Sequence, residues 1–112
     1  MRILLVSLLL LLISSVCTAQ NRGLESGSLV IVGGCMRDLN ILRELAELAG
    51  GSDAPVVVIP TAGGSEDYDE FWQGLNHFRA AGLTKLKPIH TYERAEADTA
   101  AFAQAIREAR GV

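Results

Sequence analysis

The sequence predicts an α/β fold, a β-α-β-α-β-α order around a parallel sheet with helical crossovers, and three features of its 112 residues carry that expectation. Two short β-branched runs, Leu29-Val30-Ile31-Val32 and Val56-Val57-Val58-Ile59, are apolar at every position, which suits strands covered on both faces. Stretches with the 3.6-residue spacing of amphipathic helices follow each of them. Glycine or proline ends each run, Gly33-Gly34 after the first and Pro60 after the second. Right-handed crossovers then make the strands parallel and gather the strand-to-helix loops at one edge of the sheet.

A leader precedes the fold. Met1-Arg2 is a short positive start, Ile3 to Ile13 is an apolar run broken by Ser7, and residues 14–19 are a small-residue exit ending in Ala19. These are the three parts of a secretory signal, too short for the roughly 20 apolar residues of a membrane span. Cleavage is expected after Ala19, giving an exported (periplasmic or extracellular) product with no membrane contact after cleavage. Lipoprotein processing at Cys17 is the weaker alternative, because Val16 stands where a small residue is normal. Removing 19 of the 112 residues leaves 93, enough for one small domain that buries roughly two-thirds of its unfolded surface. Loss of Arg2 takes the formal charge from −3 to −4, which speaks against a nucleic-acid partner. Of the two cysteines only Cys35 survives cleavage, so no intramolecular disulfide is available.

The elements follow in order. Residues 20–28 are polar and glycine-containing, a flexible lead-in, and the first strand is expected at 29–32. Asp38 is positioned to cap a helix whose face is Ile41, Leu42, Leu45, Leu48 and Ala49, stopped by Gly50-Gly51. After the strand at 56–59, Asp67 and Glu70 stand in capping-box positions before Phe71, Leu75 and Phe78, with Gly82 as the stop. Leu86 to Ile89 reads as a third strand, placed at an edge because Pro88 donates nothing to a ladder. Asp98 opens a third helix with the face Ala101, Phe102, Ala105, Ile106 and Ala109, closed by Gly111. Val112 then stands where a further strand is due. The chain is expected to stop mid-fold, leaving sheet edges for more protein or for a partner, including a second copy in a homo-oligomer, to cover.

Three loops fall at the carboxyl edge: residues 33–37, 60–65 and 90–94. The first fails the dinucleotide fingerprint, since Cys35 and Asp38 stand where glycines are needed, and no G-K-[ST] makes a phosphate loop anywhere. No cofactor is expected. Gly33-Gly34 either admits a ligand to backbone amides at a helix start or makes a tight turn. Cys35, on a strand-to-helix turn, is a candidate nucleophile whose thiol the helix start and Arg37 favour as thiolate, although Arg37 replaces the second glycine of an elbow. His90 is better placed than His77 as its base. The alternative for Cys35 is a small residue tolerated in a turn. Ser65 lacks the G-x-S-x-G setting and reads as part of the approach to helix two. Glu66, Asp67, Asp69 and Glu70 suit a helix's first turn more than a cation site, and the two histidines have no zinc spacing, so no metal is expected. Trp72, one turn after Tyr68, packs on the sheet or stacks on a ligand.

Taken together, Gly27-Ser28-Leu29-Val30-Ile31-Val32-Gly33-Gly34-x-Met36, Val57-Val58-Ile59-Pro60-Thr61-Ala62, Asp67-Tyr68 leading to Phe71, and the Ile89-His90-Thr91 ending of strand three resemble the N-terminal half of cyanophycinase-like proteins. The likeness spans residues 27–112. These serine peptidases include dipeptidase E and share the three-layer, flavodoxin-like fold of class I glutamine amidotransferases. The resemblance implies hydrolysis of aspartyl or β-aspartyl peptide bonds, with an acidic peptide as substrate, by a serine on an elbow and a histidine base. It also implies that both catalytic groups lie beyond residue 112, since no G-x-S-x-G occurs here. What matches are Gly33, Gly34 and Thr61, which would flank the substrate; Cys35 departs from an expected glycine. Residues 29–112 are then the N-terminal part of a peptidase domain, inactive as a fragment. Two other readings remain, a noncatalytic exported module that binds a ligand or partner, and a Cys35-dependent hydrolase or amidotransferase-like enzyme.

Overall fold

The computed structural model describes residues 26–34 and 36–112. Its elements run α1 (Leu39–Ala49), β1 (Val56–Val58), α2 (Asn76–Ala80), β2 (Leu86–Pro88), α3 (Arg94–Ala97) and α4 (Ala100–Glu108), with single 3-10 turns at Thr61–Gly63 and Gln73–Leu75. The leader at 1–19, residues 20–25 of the lead-in, Cys17 and Cys35 lie outside the described residues. Among the described residues no helix is long and apolar enough to cross a membrane.

Helix α1 forms where its spacing and caps place it. The Asp38 carboxylate accepts from the Asn40 N–H at 2.9 Å, and Gly50 closes the helix at φ 110°, a left-handed conformation that an L side chain resists. Its buried stripe is Leu42, Ala46 and Ala49. Leu48 departs from expectation and stays 48% exposed, because the stripe follows the small Ala46, and Leu48 lies about 100° round the helix from Ala49. Ala46 and Ala49 pack with Ala54, Val56 and Leu83, and Phe78 and Leu86 close the side of this cluster. Small residues on α1 suit a helix that lies close against the sheet.

The two strands pair in parallel, Val56 with Leu86, Val57 with Lys87 and Val58 with Pro88. Strand β2 has β1 as its one neighbour among the described residues, and Pro88 is thereby kept at an edge. Across the other side of β1, Gly111 makes a parallel bridge to Val56, with Val57 N–H donating to Gly111 O at 2.9 Å. Gly111 therefore does not end a helix, as its position suggested. It lies where a Cβ would stand 3.3 Å from both Ala49 and Val56, so glycine lets the returning chain sit against the core.

Three further expectations are corrected. Residues 29–32 form no strand, and Leu29 and Ile31 are 83% and 85% exposed. The physical reason is occupancy: β1 is paired by β2 on one side and bridged by Gly111 on the other, so the first run meets no free partner on it. Helix two does not begin at Asp67. The Asp69 carboxylate instead accepts from the Phe71 N–H at 3.0 Å, a local bond that competes with helix formation, and Gly74 follows. Phe71 is consequently 78% exposed and α2 starts only at Asn76, although Gly82 does supply its stop at φ 103°. The cap of α4 is Thr99, whose hydroxyl accepts from the Phe102 N–H, and not Asp98. Asp98 belongs to the end of α3, an additional turn of helix in the third crossover, and there pairs with Arg94 at 3.7 Å. The coarse architecture is an α/β domain, a two-stranded parallel sheet with helices.

Candidate functional site

Parallel pairing delivers the loops after β1 and β2 to the same edge, and there the two loops lock together. Pro60 is buried, Gly63 N–H returns to Pro60 O at 2.7 Å, and Gly64 turns the chain at φ 80°. His90 Nδ1 and Thr61 Oγ1 share a hydrogen bond of 3.0 Å across the two loops. The Tyr92 hydroxyl points at two carbonyls of the first loop, 3.2 Å from Ser65 O and 3.5 Å from Thr61 O. From the chain just beyond, the Tyr68 hydroxyl accepts from Ser65 N–H at 3.0 Å.

The rings form a series. Tyr68 meets His90 edge to face at 5.0 Å between centroids, and His90 meets Tyr92 likewise at 4.4 Å. Tyr68 also meets Trp72 at 4.9 Å, the contact expected of a helix turn but made here from an irregular segment. Each pair gains the edge-to-face attraction of aromatic quadrupoles. His90 is half-buried, and its Nε2 is buried with no hydrogen-bond partner. Such an atom calls for an explanation, because native interiors leave few polar atoms unpaired.

Among the expected site residues, Thr61 and His90 are brought into contact. Gly33 and Gly34 sit in open space, with nothing within 4 Å of the position of a Cβ on either. Cys35 lies outside the described residues. His77 is exposed on α2 and takes part in none of these ring contacts. Ser65 does not lead into a helix; its backbone is the part held, by Tyr68 and Tyr92. No carboxylate bonds the His90 ring among the described residues, so the third member that orients a triad histidine is not at this position. The run from Glu66 to Glu70 opens no helix, which removes the first-turn reading of its carboxylates, and no group of three or more His, Cys, Asp or Glu among the described residues is placed to hold a metal.

Tyr92 was not anticipated as part of the site. A signal for it exists in the His90-x-Tyr92 spacing, which puts both rings on one side of an extended chain. What the arrangement can do is hold the 60–65 loop in one conformation and present an imidazole, hydroxyls and loop backbone at the carboxyl edge of the sheet. No family model, curated protein or solved structure matches the chain.

Proposed function

We propose that the chain is the N-terminal half of an exported serine-type peptidase of the cyanophycinase-like kind, in which Gly33, Gly34 and Thr61 flank an aspartyl or β-aspartyl peptide. The observation that supports this reading is the bonded pair of loops at the carboxyl ends of β1 and β2, the edge where open parallel sheets place their ligands. The flavodoxin-like, three-layer arrangement belongs to the same proposal, with β1 interior to the sheet. The elbow serine and its histidine base come from outside the 112 residues, and the chain alone is inactive. Loss of nucleophile and base together removes several orders of magnitude in rate.

A noncatalytic exported binding module is the second reading, favoured by one feature: His90 is engaged with Thr61 and two tyrosines instead of with a carboxylate. One titration separates the two. With a β-aspartyl dipeptide, the peptidase reading expects no product release but amide shifts at Thr61 and Gly63; release would overturn the assignment of the catalytic groups to other residues, and unmoved amides would favour the module. Export itself is read by sequencing the N-terminus of the secreted product. Gln20 is expected; a retained Met1, or a lipid on Cys17, would overturn cleavage after Ala19.

A further inference from the structure

An open cleft of about 320 Å³ lies beside the ring series, at the low end of the volumes that hold small molecules. Its polar lining includes Lys87 from β2, His90, Glu96 from α3, and Thr99; Tyr68, Phe102 and Ala105 are among its other walls. Lys87 and Glu96 carry opposite charges and form no ion pair with each other, since the pair formed among the described residues is Arg94 with Asp98. Two opposite charges that line one cleft without meeting leave a gap for a ligand that carries both.

Two of the groups around the gap, Glu96 and His90, are held in place. Thr91 donates its hydroxyl to Glu96 Oε2 at 2.7 Å and accepts from Glu93 N–H at 3.0 Å, fixing that carboxylate at the start of α3. His90 is fixed by Thr61 at Nδ1 and by the edges and faces of Tyr68 and Tyr92. Fixed groups of this kind lower the ordering cost of binding.

We propose that this cleft binds a small zwitterion, an α-amino acid with an apolar side chain. Its carboxylate takes the Lys87 ammonium, its ammonium takes Glu96, and its side chain lies on Phe102 and Ala105. The inference does not depend on the peptidase reading, since the cleft recognises a free zwitterion whether or not the chain carries a peptidase half.

The test is a titration of the purified chain with L-leucine, followed by amide shifts and by the His90 ring nitrogen resonances. Saturable binding with a dissociation constant near 1 mM, or about −4 kcal/mol, is expected. Leucinamide lacks the carboxylate and N-acetyl-leucine lacks the ammonium, so each should bind at least about tenfold more weakly, a difference of about 1.4 kcal/mol. Lys87→Met and Glu96→Gln, both at exposed positions, should weaken leucine by a similar factor with unchanged circular dichroism. No saturable shift, or equal affinity for all three compounds, would overturn the proposal. So would undiminished leucine binding in both variants. The response of Thr61 and Gly63 to the β-aspartyl dipeptide is scored separately, so either idea can fail alone.

Discussion

A methyl group on Gly63 would overlap the Tyr68 hydroxyl, which is the acceptor for Ser65 N–H. The loop is therefore built around glycine for close approach, and the tyrosine fills the space that a side chain would take. Gly63→Ala should displace Tyr68 and cost about 1 to 3 kcal/mol, the usual range for a substitution that forces a packed group to move. Tyr68→Phe keeps the ring series and removes only the acceptor, so about 0.5 to 1.5 kcal/mol is expected. Urea unfolding of both variants checks the order of the two effects; equal losses would mean that the hydroxyl, not the overlap, dominates. Deeper in the fold, Leu75 is 0% exposed, and Leu75→Ala should cost about 2 to 5 kcal/mol by lost transfer and a residual cavity. Leu75 is also the one member of the predicted Phe71, Leu75, Phe78 face that is fully buried, which shows that a correct period does not fix where its helix begins.

Caps are the point at which reading and structure diverge among the elements. Thr99 and Asp98 are adjacent, both belong to the residue class that caps helices, and only side-chain geometry separates them. Thr99 accepts from Phe102 N–H at 3.3 Å and donates to Glu96 O at 2.7 Å, joining α3 to α4. Thr99→Ala should cost about 1 kcal/mol in a thermal or urea melt. Asp98→Ala removes a 3.7 Å pair between side chains that are 94% and 74% exposed, and its effect should be near zero. A reversed order would return the cap to Asp98. By contrast Asp38, Gly50 and Gly82 act where the sequence places them, because each requirement is local: an acceptor before a helix, a left-handed residue after one. The site divides in the same way. Thr61 and His90 follow from strand order alone, whereas the parts played by Tyr68 and Tyr92 depend on how two loops distant in sequence fold onto each other.

The balance of sheet edges governs the molecule as a whole. Strand β1 is satisfied on both sides by β2 and Gly111, and the first apolar run forms no strand. Val30 and Val32 face an apolar groove that Ile41, Leu42, Val56 and Val58 also line, so one side of the run keeps the alternation of a strand. Leu29 and Ile31, on the other side, are more than four-fifths exposed. A β-branched segment with no backbone partner among the described residues is a template for pairing with another chain. The purified chain should therefore self-associate as its concentration rises, and Ile31→Lys should suppress this in light scattering while the melting temperature stays unchanged, since the substituted side chain makes little contact within the fold. A melting temperature that falls by several degrees would instead place Ile31 in the folded interior, with residues 29–32 paired as a strand. Unchanged self-association at an unchanged melting temperature would move the adhesive surface away from this run, leaving the exposed Phe71 as the next side chain to substitute.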